Sequence, residues 1–448
     1  MVSRPVIELR RSLRLGDSLA MVVGIIVGSG IFRTPGLIAA RLGRPWLTFV
    51  AWLLGAAIAL LGALVFAELA TRRPRAGGKY VFVMETFGWR AGFVVGWVES
   101  LVIYPAAIAA IGVVCGEYTG RLVGLPADAV RWVGVAFVAL VTGVNLFGVR
   151  TGRWVQNVVT SAKVLALGGV VVIAFAAGTG AGWTGRLPDA PTGAAALAAL
   201  AAAGQAVIWT YYGYPEVAKI AEEVVDPNRT IPRAFLLGIA IVAALYLSLN
   251  AAFLHVLPFE TVAASNLVAG DMATAVFGAR GGAVMAAIAL LVVLASLNGN
   301  VFATPRVLFG LARDGLAPAG LAQVNRGGTP WTATLGVGLV GVGLAASGTF
   351  EWLLALAITL VLAVDGFTAL ALFRYRAREP SAPFRIPGYP VTPILFVALY
   401  ATLLLGTAIA TPRSTGVALL VIGLAYAVSR VTRKAPNETF APPAASKG

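Results

Sequence analysis

Apolar runs of about twenty residues recur along the whole chain, separated by short polar stretches rich in arginine, glycine and proline. A helix needs about twenty apolar residues to cross the hydrocarbon core of a bilayer. Twelve runs come near that length, which predicts an all-α polytopic membrane protein with 12 transmembrane helices. The approximate spans are 16–40, 46–70, 90–116, 130–149, 154–178, 195–222, 233–256, 281–312, 331–348, 352–373, 391–410 and 414–430.

Lysine and arginine set the expected orientation. If the N-terminus lies in the cytoplasm and the spans alternate, about three times as many basic residues fall on the cytoplasmic side as on the other. We therefore expect both termini to be cytoplasmic and the chain to lie in the cytoplasmic (inner) membrane. The predicted domains are a cytoplasmic segment 1–15, a transmembrane domain 16–430 and a cytoplasmic tail 431–448.

Composition supports the bilayer as the solvent. Only 12% of the 448 residues are charged and the mean hydropathy is +0.86, whereas soluble chains are about a quarter charged. The net charge of +15 follows from the topology and requires no nucleic-acid partner. With one cysteine and one histidine, the chain offers no internal disulfide and no multi-cysteine metal site, so we expect neither a metal nor another cofactor.

The first span contains a run of closely spaced glycines, Gly24-Ile-Ile-Val-Gly28-Ser29-Gly30. Glycine is a poor residue for a helix interior. One interpretation is close helix packing, because Gly24 and Gly28 form a GxxxG pattern. The other is an unwound segment at the middle of the membrane, which is tolerated only where it lines a cavity or is buried in protein.

The sixth span contains a second interruption, Trp209-Thr210-Tyr211-Tyr212-Gly213-Tyr214-Pro215. Proline this close to glycine disrupts a helix. Interrupted helices at corresponding positions of two halves are typical of secondary transporters. Their places in spans one and six predict two five-helix repeats of opposite topology, at about 16–178 and 195–373.

Two broken helices would suit a zwitterionic substrate. Free N–H groups at the start of a half-helix bind a carboxylate, and free carbonyls at the end of the other half bind an ammonium. We expect the carboxylate near Gly28, Ser29 and Gly30, and the ammonium near carbonyls of Ile26, Trp209 and Tyr212. The candidate substrate-binding residues are Ile26, Gly28, Ser29, Gly30, Trp209, Thr210, Tyr211, Tyr212 and Gly213.

Polar residues inside spans are a second source of candidates, because a charge at the bilayer centre costs about 2.5–3.5 kcal/mol on insertion scales. Lys163 lies in the middle of span five. It is either a coupling residue, including one that carries a proton, or a lysine that extends to the cytoplasmic surface. Asp365 has three open roles: pairing with a base, carrying a proton or contacting a cationic substrate. Further pocket or gate candidates are Tyr104 and Asn298, each with a packing alternative, while Asn300 and Glu99 are left without a specific role.

Acidic and basic residues also cluster after span six. Glu222, Glu223, Arg229 and Arg233 are predicted to form ion pairs on the cytoplasmic side, as an inner gate or within a loop.

Several short motifs, in order along the chain, resemble those of the amino acid–polyamine–organocation transporters. The matching stretches are Gly28-Ser-Gly-Ile-Phe32 with Pro35, Ala67-Glu-Leu-Ala-Thr-Arg-Arg-Pro74, Gly77-Gly-Lys-Tyr80, Phe87-Gly88, Tyr211 with Gly213, Ala221-Glu-Glu-Val-Val-Asp-Pro227, Thr230-Ile-Pro-Arg-Ala234 and Arg306-Val-Leu-Phe-Gly-Leu-Ala-Arg-Asp-Gly315. Each piece is weakly specific, but the ordered set is highly specific.

The resemblance implies a leucine-transporter-like fold, with a 5+5 inverted repeat followed by two helices at about 391–430, and an α-amino acid substrate. The pattern of span six is similar to bacterial relatives of the light subunits of heteromeric amino acid transporters. By that similarity Trp209 is an aromatic gate or pocket wall, with ordinary packing as the alternative, and Lys163 replaces a sodium ion.

The function favoured by these observations is secondary transport of L-amino acids, neutral ones first, by alternating access. Sodium-independent exchange and proton coupling are both open. A polyamine or cationic amino acid carrier is the alternative within transport. A channel or a membrane-embedded enzyme is disfavoured, since neither charged pore rings nor a catalytic constellation is evident. The expected partners are the amino acid substrate and the lipid bilayer, with no partner subunit required.

Overall fold

The computed structural model describes residues 9–347 and 350–432, which are nearly all helical. The predicted tail beyond 432 and the predicted N-terminal segment before residue 9 lie outside the described residues. The α-helices are α1 Leu15–Ile26, α2 Gly30–Leu42, α3 Pro45–Arg72, α4 Lys79–Phe87, α5 Trp89–Val98, α6 Tyr104–Val123, α7 Ala127–Leu146, α8 Val149–Ala177, α9 Gly193–Tyr211, α10 Pro227–Val256, α11 Phe259–Ala264, α12 Val268–Phe277, α13 Gly281–Ala303, α14 Pro305–Arg313, α15 Trp331–Ser347, α16 Phe350–Arg378, α17 Val391–Ala410 and α18 Pro412–Val431.

Membrane-spanning helices account for most of the fold. Among the described residues, nine helical segments are long and apolar enough to cross a bilayer, and ten if the bent pair α1–α2 is one span. The predicted spans 195–222 and 331–348 correspond to α9 with the 3₁₀ helix Tyr214–Glu223, and to the 17-residue α15. The polytopic helical class is confirmed, while the count of twelve and the inverted repeat remain predictions.

Large apolar side chains cover the outside of the bundle. On α8, Leu165 and Trp154 are exposed, whereas Lys163 and Leu167 on the same helix are fully buried. This helix therefore turns its charged mid-span residue toward protein and large apolar side chains outward. That is the arrangement expected of a helix surrounded by lipid.

The first span is broken. α1 ends at Ile26 and α2 begins at Gly30, and their axes differ by 46°. A Cβ atom at Gly24 would lie 1.8 Å from the Gln156 amide nitrogen, so this glycine permits close packing against α8. The two interpretations of the glycine run both apply, with packing at Gly24 and an unwound segment at residues 27–29.

The sixth span is broken as well. α9 ends at Tyr211, Tyr212 is extended, and Gly213 has φ of +134° before the 3₁₀ helix begins. That left-handed region favours glycine. A Cβ at Gly213 would lie 2.9 Å from Ile25 Cγ2 and 3.1 Å from Ile26 N. The two breaks therefore touch, and Gly213 is the point of contact.

The third span contains a wider turn, the π-helix Glu99–Ile103 between α5 and α6. Pro105 begins the next helical turn and has no N–H to donate. The Tyr104 N–H instead donates to Glu99 O, five residues back. Such π-bulges occur frequently at functional sites, and this one directs Glu99 and Tyr104 into the bundle, where both are buried.

The segment between α3 and α5 folds back into the bundle as α4. The side chain of Lys79, at its first residue, is fully buried. Lys219, in the 3₁₀ helix, is also fully buried. The three-to-one ratio counted both lysines among the basic residues of the cytoplasmic side, but neither is solvated: each is paired with buried carboxylates.

One end of the bundle is closed by the start of the chain, and we call it the N-terminal end. Leu13 pairs with Val224 in an isolated parallel β-bridge. The amides of Ser12 and Leu13 donate to Glu223 O at 2.8 and 2.9 Å, and Val225 N donates to Leu13 O at 2.8 Å. This main-chain latch holds the chain start against the end of the 3₁₀ helix.

Candidate functional site

A cavity of about 100 Å³ lies between the two breaks. Eight of the nine sequence-predicted binding residues line it, as does Tyr104, which was predicted as a pocket or gate residue. These lining residues are Ile26, Gly28, Ser29, Gly30, Trp209, Thr210, Tyr212, Gly213 and Tyr104. The interrupted segments of spans one and six therefore both line one space.

Three predicted site residues lie elsewhere. Tyr211 packs its ring against Trp52 and Tyr246, with centroids 6.0 and 5.0 Å apart. Asp365 contacts the ammonium of Lys79 at 2.6 Å. Neither side chain lines the cavity.

The third, Asn298, joins helices instead. Its amide donates to Gln156 Oε1 at 2.8 Å and accepts from Asn145 Nδ2 at 2.9 Å. Asn300, two residues along α13, lines the cavity. Residues two apart on a helix point to nearly opposite sides because each residue turns the helix by about 100°, so Asn300 faces the cavity and the packing alternative describes Asn298.

The start of α2 places the positive end of a helix dipole at the cavity. Its first turn begins at Gly30, where helix N–H groups have no partner within the helix and the helix dipole is positive. A Cβ at Gly30 would lie 3.0 Å from the Thr210 side chain. Glycine therefore keeps this helix end accessible and lets the two half-helices approach closely.

The carbonyl ends of the two first half-helices share one hydroxyl. The hydroxyl of Tyr246, on α10, donates to Ile26 O at 3.0 Å and lies 3.1 Å from Thr210 O. Sequence analysis missed Tyr246, since a tyrosine within an apolar span carries no signal of its own. It joins the carbonyl of Ile26, where a substrate ammonium was predicted to bind, to that of Thr210, the neighbour of the predicted Trp209.

Lys163 is directed into the bundle. Its ammonium donates to Gly24 O at 2.7 Å and to Val27 O at 2.6 Å, and its side chain is fully buried. The alternative of a lysine extending to the surface does not fit this position. The positive charge instead lies at the carbonyl end of α1, where the helix dipole is negative.

Polar residues from two further elements complete the wall. Ser296 donates its hydroxyl to Ile25 O at 3.0 Å, and Asn300 donates to Ser296 O at 2.9 Å. Glu216, from the 3₁₀ helix, is the acidic residue on the wall. Its sequence signal was a carboxylate directly after the Gly213–Pro215 interruption, in a segment otherwise read as the end of a span.

Ion pairs close the N-terminal end of the bundle. Glu223 pairs with Arg306 at 2.7 Å and Glu222 with Arg313 at 2.7 Å. These arginines replace the predicted partners: Arg229 instead lies exposed beside Asp226.

Asp314, beyond the end of α14, belongs to the same region. It accepts from Arg75 at 3.0 Å and from the Tyr80 hydroxyl at 3.0 Å, and burial raises the pKa of its carboxyl. The N-terminal end is thus held by charged contacts that would have to separate for the cavity to open there.

The far end of the cavity carries a different contact, between Arg33 on α2 and Glu117 on α6. Both side chains are about one third exposed. Exposed ion pairs contribute little free energy, about 0–1 kcal/mol. The two ends therefore differ: buried pairs lie at one and a solvated pair at the other.

Comparison with known proteins gives one consistent result. A family profile described as "Amino acid permease" matches residues 13–428. The serine/threonine exchanger SteT of Bacillus subtilis is 31% identical over 426 residues, covering 93% of this chain and 95% of that protein. The Asc-type amino acid transporter 1 of Mus musculus is 28% identical over 93% of this chain and 80% of its own length. The human cystine/glutamate transporter is 28% identical over 93% of this chain and 84% of its own length.

Proposed function

The chain belongs to the amino acid permease family, and from that premise we propose that it exchanges small neutral L-amino acids across the cytoplasmic membrane without sodium. Transport would proceed by alternating access, with both termini in the cytoplasm. The observation that carries the proposal is the cavity between the two broken helices, which presents an N–H end at Gly30 and carbonyl ends at Ile26 and Thr210.

The cavity's chemistry favours an α-amino acid. The start of α2 would bind the carboxylate and the carbonyl end of α1 would bind the ammonium, because the two half-helix dipoles have opposite signs there. A volume of about 100 Å³ is that of about three water molecules. This supports a small side chain, in agreement with the serine/threonine exchanger among its relatives.

Sodium independence rests on Lys163. Its ammonium already occupies the carbonyls of Gly24 and Val27, the class of ligand that would coordinate a sodium ion. In exchange, the protein closes the cavity over one substrate and opens to the other side to release it. It then returns with a second substrate bound.

A polyamine or cationic amino acid carrier is the second candidate, supported by Glu216 on the cavity wall. Both of its carboxylate oxygens are already engaged, by the Tyr104 hydroxyl at 2.6 Å and by the Lys219 ammonium. A cationic side chain would have to displace one of them, so neutral substrates are favoured.

The test is counterflow in proteoliposomes. Vesicles preloaded with unlabelled L-serine or L-alanine should take up the same amino acid in labelled form, at the same rate with and without sodium. Gly30→Val should abolish uptake because its side chain meets Thr210, whereas Gly168→Val, where an added Cβ meets nothing within 4 Å, should not.

Three outcomes would contradict parts of the proposal. Uptake that requires a sodium gradient would overturn the role of Lys163. Uptake of putrescine or arginine in preference to serine would favour the second candidate. Failure of every amino acid and polyamine to exchange, with folded protein in the vesicles, would overturn transport of either class.

A further inference from the structure

Beside the cavity lies a buried group of five charged side chains, which we call the charge network: Lys79, Glu99, Glu216, Lys219 and Asp365. The Lys79 ammonium is its centre, 2.6 Å from Asp365 Oδ1 and 3.1 Å from Glu99 Oε1. The side chains of all three are 0% exposed. Glu216 and Lys219, an ion pair, are buried to the same degree.

Tyr104 joins the two halves of the network. Its hydroxyl lies 2.6 Å from Glu216 Oε1 and 3.1 Å from Glu99 Oε1, and it accepts from Lys79 at 2.9 Å. Tyr104 and Glu216 also line the cavity. Glu99 is therefore connected to the substrate space through the Tyr104 hydroxyl, and Asp365 through Lys79, which contacts the hydroxyls of Tyr104 and Tyr212.

The network lacks one positive charge. Three carboxylates face two ammonium groups, and burying an unbalanced charge is costly. The other titratable groups that face the network are tyrosines, contributed by the span-six break, the 3₁₀ helix and α17: Tyr212, Tyr214 and Tyr400. The nearby acids Glu222 and Glu223 already have arginine partners.

The network also lacks one hydrogen. A lysine ammonium has three hydrogens, yet Lys79 Nζ lies within 3.1 Å of four oxygens, on Asp365, Glu99, Tyr104 and Tyr212. A tyrosine hydroxyl has one hydrogen, yet Tyr104 lies within hydrogen-bonding distance of two carboxylates. A proton on one carboxyl supplies the missing donor.

Unpartnered oxygens indicate which carboxylates are least stabilised in the ionised form. Within the described part of the chain, Glu99 Oε2 and Asp365 Oδ2 are buried and have no hydrogen-bond partner. Both oxygens of Glu216 are engaged. Two carboxylates that share a single cation do not readily stay ionised together, and Glu99 and Asp365 share Lys79.

We propose that the Glu99–Asp365 pair binds one exchangeable proton, and that this proton is taken up and released during the transport cycle. The second half of this statement rests on the proposed function, while the first does not. The proton neutralises the network, so the cavity wall no longer carries a net negative charge when the substrate carboxylate enters. A cationic substrate would not serve equally well, because the unpartnered oxygens do not line the cavity.

The proton site can be tested without transport. Infrared difference spectra of purified protein between acidic and alkaline buffer should show the C=O stretch of one protonated carboxyl. Asp365→Asn or Glu99→Gln should remove or shift that band. Asp189→Asn, at an exposed loop position, should leave it unchanged. If neither Asp365→Asn nor Glu99→Gln alters the band, the proton site is overturned. If one of these variants does not fold, the other provides the test.

Coupling is tested in proteoliposomes with an imposed pH gradient. The entering amino acid brings one proton and the departing one leaves without it, so each unit of pH gradient supports about a tenfold bias of the entering over the departing amino acid. The wild type and Asp189→Asn should accumulate substrate in this way, and in Asp365→Asn the ratio of gradient-driven uptake to counterflow should fall about tenfold.

The outcomes separate the two proposals. A carboxyl band with no amino acid transport keeps the proton site and overturns the proposed function. Counterflow without a gradient response in the wild type overturns coupling.

Discussion

The ammonium nitrogen of Lys163 lies 2.6 Å from the carbonyl oxygen of Val27, the residue that ends the first half of the broken first span. The same nitrogen also binds Gly24 O. Two carbonyls that the break leaves without helical partners are therefore held by a fixed cation from another helix. The unwound segment beside the cavity keeps its shape without a bound ion.

Replacing Lys163 by methionine should remove this support. Two buried carbonyls would lose their donor, at about 1–3 kcal/mol for each unsatisfied group. We expect substrate affinity to fall at least about tenfold, which corresponds to 1.4 kcal/mol. Leu165→Met introduces the same side chain two residues along at an exposed position, and is the control. Binding by Lys163→Met with the affinity of the control would contradict the role of the lysine.

Gly213 should tolerate no side chain. Alanine there meets Ile25 Cγ2 at 2.9 Å and requires φ of +134°, a strain of about 1–3 kcal/mol. We expect counterflow to fall at least about tenfold, because the two breaks are forced apart. Gly168→Ala, in a helix where nothing lies within 4 Å of the added Cβ, should keep wild-type rates. Equal rates in the two variants would show that contact between the breaks is unimportant.

Lys79 should matter more for stability than any other network residue. Lys79→Met leaves Glu99 and Asp365 buried without their cation, and breaking a buried pair from one side costs about 3–5 kcal/mol. Adding Asp365→Asn removes one of the stranded charges. The double variant should therefore recover part of the lost melting temperature, measured by thermal unfolding in detergent. Additive losses in the two single variants would indicate that the residues do not interact.

The ion pairs at the N-terminal end should control access from that side. Arg306→Gln strands Glu223 and should shift the protein toward a state open at the N-terminal end. Reaction of a Ser29→Cys thiol, in a chain whose Cys115 is replaced by alanine, would report the opening. The control is Arg229→Gln, since that arginine is exposed and 4.0 Å from its acidic neighbour. Labelling no faster in Arg306→Gln than in the control would exclude this gate.

The broken helices could be predicted because glycine and proline act locally. The glycine run and the Gly213–Pro215 interruption disrupt helices regardless of their surroundings, and the structure breaks at residues 27–29 and 212–213. Lys163 could be singled out because it is a charge far from any apolar boundary. The position of the Tyr211 side chain could not be predicted in this way. The exact geometry of the break determines which residues beside it face the cavity, and glycine and proline positions do not define that geometry.

The charge network could not be predicted, because its members come from four separate segments. Lys79 was assigned to a loop and Lys219 to the cytoplasmic end of span six, since a hydropathy window treats a lysine at the edge of an apolar run as solvated. Only the apolar residues after Lys79, from Tyr80 to Met84, indicated that this segment returns to the protein interior. Pairing of distant charges depends on tertiary packing, which periodicity does not describe.

The main-chain latch between Leu13 and Val224 has a consequence for how the chain can vary. Its three hydrogen bonds use only backbone atoms, so substitutions at Ser12 leave them intact. Deleting one residue is different, because a shift by one position turns every side chain of an extended segment to the opposite face. Leu13 would leave its buried site. This segment can therefore accept any residue with a backbone N–H at Ser12, but it cannot change its spacing.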